Sequence, residues 1–392
     1  MSAVSRVRGV AAAMVVTGLL VLGFVGIRVA THGGRLGAFA VAGSAFVHGA
    51  TPDLPVTAHS TGYDGQFYYR LAQDPLTRRV TADGITLDNP SYRQQRIGYP
   101  ATAWLLARVT GAATSLALVL VNALAVLAVG GLGALWARRL GRSPWWGVGL
   151  AASPALLIAL ARDLTEPLAT AALLAGLLAW TSRRRGLAAL AFTAAALTRE
   201  TTLAVVFGLA LTAAYWAWRD RHRRDALTGH AAAIGCLAVP AAVEIAWQFH
   251  LRGVWGGRLP VQSGHGQLAL PFLSPIRTFF SGVSSIGLSH QGVLDGIWFA
   301  DRILLAALLV VVALGWSRSR LPPDIRVGWV VAALIAVSVV WARDVQFVRA
   351  ANEAIVVGQL VLLGRSDRTA TRGLLGVGAW SGLVAALYAV AL

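Results

Sequence analysis

The sequence predicts an all-α, polytopic membrane protein of about eleven transmembrane helices, with a long first outer loop that carries short interfacial helices. Three observations predict it. Of 392 residues, 56% are apolar and only 13% charged, which excludes an ordinary soluble domain. Apolar runs of membrane-crossing length recur along the whole chain, so a single cleavable signal peptide does not account for them. All 34 basic residues are Arg, and most fall in short, spaced clusters.

In chain order, Val10 to about Ile27 is read as a retained anchor within a span at 10–30, preceded by Arg6 and Arg8. Further spans are expected at 115–137, 145–161, 164–181, 187–198, 201–218 and 230–250, then at 297–316, 326–342, 350–364 and 373–392. Between them lie Arg138/Arg139/Arg142, Arg183/Arg184/Arg185, Arg219/Arg221/Arg223/Arg224, Arg318/Arg320 and Arg365/Arg368/Arg372. Placing every second connection inside puts all these clusters in the cytoplasm, as the positive-inside rule asks. The N-terminus is then cytoplasmic and the C-terminus outside. A net charge of +17 divided in this way is a set of topology signals, so the partner it implies is the lipid bilayer and not a nucleic acid.

No repeat or low-complexity tract sets off a soluble unit, and residues 1–392 read as one integral membrane domain. Its parts are the first span (1–30), an outer loop of catalytic type (31–114), helices 2–7 (115–250), a second outer loop (251–296) and helices 8–11 (297–392). The lone cysteine, Cys236, excludes an internal disulfide and a Cys-based zinc site, and reads as a core residue.

Loops as long as the two outer ones are uncommon unless they do something. Of the 17 acidic residues, only Asp220, Asp225, Asp324 and Asp367 fall in the expected cytoplasmic turns, so any chemistry is expected outside. In TGYDGQFYYRLAQDP (61–75), Phe67 with Leu71 and Tyr68 with Ala72 share helical spacing, and Pro75 ends the run. A short interfacial helix follows, and Thr61 with Asp64 has the form of a capping box. In PSYRQQRIGYP (90–100), Arg93 and Arg96 lie on one side of any helix, which suits an anion site or snorkelling to headgroups. Ionisable residues also mark the span ends: Arg162, Asp163 and Glu166; Arg199 and Glu200; Glu244; Arg343, Asp344, Arg349 and Glu353. Such groups usually face a polar cavity and pair with one another.

The form YDGQFYYRLAQDP just after the first span, followed by QRIGYP entering a helix, resembles bacterial members of the GT-C superfamily of integral membrane glycosyltransferases. It is similar to the GPI-mannosyltransferase pattern, and SPALLIALARDLTEPLA and AALTRETTL resemble a bacterial family linked to cell-surface glycopolymer formation. Tyr63-Asp64 stands where the pattern has Trp-Asp, and no DxD pair occurs. The resemblance implies a plasma-membrane enzyme that moves a mannose-like hexose or a pentose from a polyprenyl-phosphate donor to a cell-envelope glycan or lipid acceptor. Asp64 would be the general base, with inversion, and Arg93, Arg96, Arg199, Arg343 and Arg349 would hold the donor phosphate. Tyr63, Gln66, Tyr68, Tyr69 and Tyr99 would meet the sugar or the lipid, with Asp163, Glu166 and Glu200 in support.

Two other classes stay open: a transporter or flippase of lipid-linked sugars, and a non-catalytic membrane subunit. His59, His265 and His290 have no ligand-motif spacing, and no metal or other cofactor is assigned.

Overall fold

A computed structural model describes residues 3–49, 51, 53–257, 259–260, 269–283, 290–339 and 346–390. The chain is mostly helical. Helix α1 (Ala3–Thr31) leads into a cap built from the first long loop. In the cap, β1 (Ala42–Gly43) pairs in parallel with β2 (Val56–Thr57), and α2 (Asp64–Leu71) follows. Next, β3 (Thr81–Ala82) and β4 (Ile85–Thr86) form a hairpin whose Asp83-Gly84 turn has positive φ at both residues, the sequence signal for a two-residue turn. Helices α3 (Pro90–Gln94) and α4 (Gly98–Thr110) complete the cap.

The bundle comprises α5 (Thr114–Arg139), α6 (Trp146–Ala151), α7 (Pro154–Leu160), α8 (Glu166–Thr181), α9 (Arg185–Thr198), α10 (Leu203–Arg219) and α11 (Arg224–Trp255). It continues with α12 (Leu273–Val283), α13 (His290–Gly315), α14 (Pro323–Ser338), α15 (Gln346–Ala350), α16 (Asn352–Leu363) and α17 (Arg368–Val390). Among the described residues six helices are long and apolar enough to cross a membrane, beginning at Arg8, Thr114, Glu200, Thr228, Val293 and Arg368.

The other expected spans contain helix but are shorter. Segment 145–161 is broken at Ser153, whose extended ψ of 137° is what a residue before proline prefers. Helix α16 covers only Asn352–Leu363, and every residue in it is buried. A helix apolar on all sides can be wrapped in protein as well as in lipid, and α16 is wrapped by α13, α14 and α17. Helices α10 and α14 cross where Gly208 faces Gly328, so closely that a Cβ on Gly208 would strike the Gly328 backbone.

Two apolar cores result. One runs through the bundle, and the other seats the cap: Phe67, Tyr68, Leu71, Ile85 and Tyr99 pack on Leu118, Val121 and Ala159 of the bundle. This corrects the interfacial placement of the 61–75 helix. Residues Gly65 through Leu71 of α2 are all buried, because the cap folds its aromatics onto α5 and α7 instead of presenting them to headgroups.

Candidate active site

Asp64 is the first residue of α2. The cap of that helix is Tyr63, in extended conformation and without a side-chain cap bond, so the expected capping box with Thr61 is not formed. The carboxylate is turned to arginine instead. It accepts from Arg93 Nη1 at 2.6 Å and from Arg349 Nη1 at 3.4 Å, and it is 22% exposed, so a ligand can reach it. Burial raises its pKa, but Arg93 and then Arg349 outweigh burial and hold the carboxyl at about 2.

Arg93 is placed by α3 and Arg96 by the turn that follows it. Pro90 stands in the first turn of α3 and Asn89 caps it, accepting from Tyr92 N at 3.3 Å. Gln94 ties the helix to α11, taking the Trp255 indole N–H at 2.6 Å, while Gln95 accepts from Gln248, which also donates to Glu244. Arg93 grips Asp88 through Nε at 2.8 Å and Nη2 at 2.6 Å, over the Phe67 ring. Arg96 makes a two-point pair with Glu200, at 2.9 and 2.6 Å, and so locks the cap to the turn between α9 and α10.

Below this pair lies a denser knot. Glu166, fully buried at the start of α8, accepts from Arg199 Nη1 at 2.8 Å and from Arg349 Nε at 2.7 Å through one oxygen. Arg199 also meets Glu353 at 3.2 Å and donates to the Arg349 carbonyl at 2.9 Å. Arg349 Nη1 donates to the Tyr63 hydroxyl at 3.0 Å. Residues 285 positions apart in sequence are thereby fixed around Asp64. Above them opens a polar pocket of about 170 Å³, walled by Asp64, Tyr92, Arg93, Arg96, Gln346 and Arg349, with Arg199 at its base.

The structure thus brings together Asp64, Tyr63, Arg93, Arg96, Arg199, Arg349, Glu166 and Glu200. Others named from the sequence stand elsewhere. Gln66 is buried, accepting from Gly43 N and donating to Thr61 O, which closes the loop before α2. Tyr68 and Tyr99 form an edge-to-face pair in the cap core, and Tyr69 is buried beside them, so none of the three walls the pocket. Asp163 is buried 3.4 Å from the Tyr99 hydroxyl, which also accepts from Asn122. Arg343 lies outside the described residues, as does His265. Asp88, Tyr92 and Gln346 belong to the site but were not named from sequence, and Glu353 was named only as an ionisable residue at a span end. Asp88, five residues ahead of Arg93, had a local signal in that spacing.

A further constraint acts on the residue after Asp64. A Cβ on Gly65 would collide with the Arg162 and Ala40 carbonyls, so α2 rests with its backbone against the α7–α8 connection. Gly65→Ala is expected to lower stability by roughly 1–3 kcal/mol, the usual range for overpacking, and to shift the thermal midpoint of the purified protein downward. An unchanged midpoint would mean that α2 is not seated there.

Among the described residues no group of three His, Cys, Asp or Glu is arranged to hold a metal ion. Comparison with known protein families, with curated proteins and with solved structures gives no match for this chain.

Proposed function

We propose that the chain is a membrane glycosyltransferase that moves a sugar from a polyprenyl-phosphate donor to a cell-envelope glycan or lipid acceptor on the outer face of a bacterial plasma membrane. The observation that supports this reading most is a reachable carboxylate, Asp64, set in a pocket that four arginines line together with Tyr92, Gln346 and Ala350. A lipid phosphate departs as a stabilised anion, so such a transfer needs no second carboxylate to protonate its leaving group. One base for the acceptor hydroxyl and cations for the phosphate are enough. Attack by that hydroxyl from the face opposite the phosphate inverts the anomeric carbon.

The arginines differ in depth. Arg199, the least exposed of the four at 4%, donates to Glu166 and to the Arg349 carbonyl and meets Glu353, so its role is to hold the knot together. Arg93, Arg96 and Arg349 face the pocket, and a donor phosphate would meet them there. Asp64, Asp88, Glu166 and Glu200 already offset their charge, so a donor phosphate would share the guanidinium N–H groups with these carboxylates.

A base held at about 2 is fully ionised but weak. A phosphate drawing on Arg93 and Arg349 offsets their field, so Asp64 gains basicity as the donor binds. In the free enzyme the sign is plain. The folded pKa lies below the ordinary 3.8, so the stability that ionised Asp64 contributes is full above that value and is lost as pH falls through about 2. The pH profile of kcat/KM is expected to show no acid limb from Asp64 above about pH 3, and Arg93→Gln should bring one into the range of about 3 to 5. A limb near pH 4 in the unmodified protein would remove the Arg93–Asp64 pair from the account.

Glycan analysis of membranes from a deletion strain tests the reading as a whole. Loss of one sugar type from an envelope polymer or a lipid-linked glycan is expected. An unchanged glycan profile with altered uptake would point to a transporter instead.

A further inference from the structure

The guanidinium groups around Asp64 are each shared with carboxylates, but those of Arg28 and Arg162, set below the surface nearby, are not. Among the described residues, Arg28 and Arg162 make no ion pair. Arg28, near the end of α1, is 1% exposed, donates to the Tyr388 carbonyl at 2.7 Å and leaves its Nε without a partner. Arg162, just past α7, is half-buried, stands 4.3 Å from the centroid of the Tyr63 ring and 5.2 Å from that of Tyr388, and also has a buried Nε without a partner. Asp163 is the neighbouring counter-charge, which leaves the pair of cations with an excess of one. Burying cations without enough carboxylate is expensive, and in membrane proteins it marks a place where something else supplies the negative charge.

A cleft of about 260 Å³ lies along the same helices, and neither arginine is among its lining residues. It is walled by α1 (Leu20, Phe24), α7 (Leu157, Leu160) and α17 (Gly382, Ala385), with Val126 of α5 and Val148 of α6. Thr17 and Ser381 also line it, but both hydroxyls are used by their own helices, donating to Ala13 and Val377 carbonyls, so the surface left to a ligand is hydrocarbon. Arg28 follows Phe24 by four residues and Tyr388 follows Ala385 by three, which sets the cationic end one helical turn beyond the apolar cleft on the same helix faces. On the far side stands Tyr63, whose ring centroid is 5.2 Å from Arg349 and whose neighbour is Asp64. An apolar groove with two guanidinium groups and a single carboxylate, Asp163, beyond its end fits a lipid whose headgroup is a phosphate.

We propose that Arg28 and Arg162 form a seat for a lipid phosphate monoester whose hydrocarbon chain lies in the cleft between α1, α7 and α17. That this monoester is the spent carrier rests on the glycosyltransferase reading. In the transfer, the bond from the anomeric carbon to the phosphate oxygen breaks and its electron pair stays on that oxygen. The acceptor oxygen takes its place on the carbon, and the acceptor proton passes to Asp64. The phosphate thus goes from a monoanionic diester to a monoester of about −1.5 to −2 charge at neutral pH. The pocket, whose arginines are already matched by carboxylates, disfavours the more highly charged product, and the cationic seat behind Tyr63 suits it. Arg162 makes the contact, while Arg28 behind it adds charge.

The test is binding of farnesyl phosphate and of its methyl phosphodiester to the purified full-length protein, measured by native mass spectrometry. The monoester should bind about tenfold more tightly than the diester, since a second charge is met by a second guanidinium. Arg162→Gln should erase that preference. Gly382→Leu should weaken both ligands about tenfold by filling the cleft, where a Cβ on Gly382 meets nothing within 4 Å, so this variant serves even if Arg162→Gln fails to fold. Arg93→Gln should lose transfer yet keep the preference. Equal binding of monoester and diester, or a preference that survives Arg162→Gln, would overturn the seat. So would inorganic phosphate competing at the same concentration as farnesyl phosphate, or Gly382→Leu dissolving a dimer without weakening the lipid. If the binding differences hold while no sugar donor supports transfer, the glycosyltransferase reading fails and the seat stands.

Discussion

Glu166→Gln is expected to be the most destabilising single substitution in the site. One oxygen of this fully buried carboxylate accepts from Arg199 at 2.8 Å and from Arg349 at 2.7 Å. The amide keeps the shape and removes the charge, so two buried guanidinium groups lose their shared counter-ion together and are left with the longer contacts to Glu353 at 3.2 Å and Asp64 at 3.4 Å. Breaking a buried ion pair by removing one partner costs about 3–5 kcal/mol, a large part of the roughly 5–15 kcal/mol that holds a typical domain together. Replacing an exposed carboxylate such as Asp53 should change little by comparison. Thermal unfolding in detergent measures the effect, and a midpoint for Glu166→Gln equal to that of the parent protein would show that the knot does not hold the site together.

Asp64→Asn is expected to do the reverse, leaving the fold in place and removing activity. Arg93 keeps Asp88, at 2.8 and 2.6 Å, and Arg349 keeps Glu166, so neither cation is left without a carboxylate. Asp64 makes no cap bond at the helix start, and the amide therefore forfeits none. An amide does not take up the acceptor proton, however, and loss of a general base typically lowers the rate by about 10²- to 10⁴-fold. The two variants separate the roles of two carboxylates joined by Arg349: one holds the arginine in place, and the other works in the pocket.

Much of the helix pattern is legible in the apolar runs, because each long run between Arg clusters must satisfy its backbone internally. What surrounds a run is not legible. Helix α16 and the segment 145–161 read like crossings, yet one is a short buried helix and the other is split at Ser153. In the site, the charged residues could be named because ionisable groups at apolar boundaries are rarely idle, but their partners could not. Glu353 pairs with Arg199 from more than 150 residues away, and no spacing predicts that contact. The aromatics misled for a related reason. Tyr68 and Tyr99 look like headgroup anchors in a polar loop, and the edge-to-face pair they make in the cap core exists only once that loop has folded onto α5 and α7. Arg28 is a lone arginine at the expected outer end of the first span, in none of the clusters that orient the chain, and only its place behind Arg162 and beside Tyr388 sets it apart.

The most direct test of the central claim is transfer in a defined system. Purified protein in proteoliposomes is given radiolabelled polyprenyl-phosphate sugars and an envelope-glycan acceptor, with the parent chain and Asp64→Asn assayed side by side at matched thermal stability. The account predicts inverted product from the parent and a rate at least about 10²-fold lower from the variant. Equal turnover by the two would contradict it and return Asp64 to the role of an ion-pair partner for Arg93.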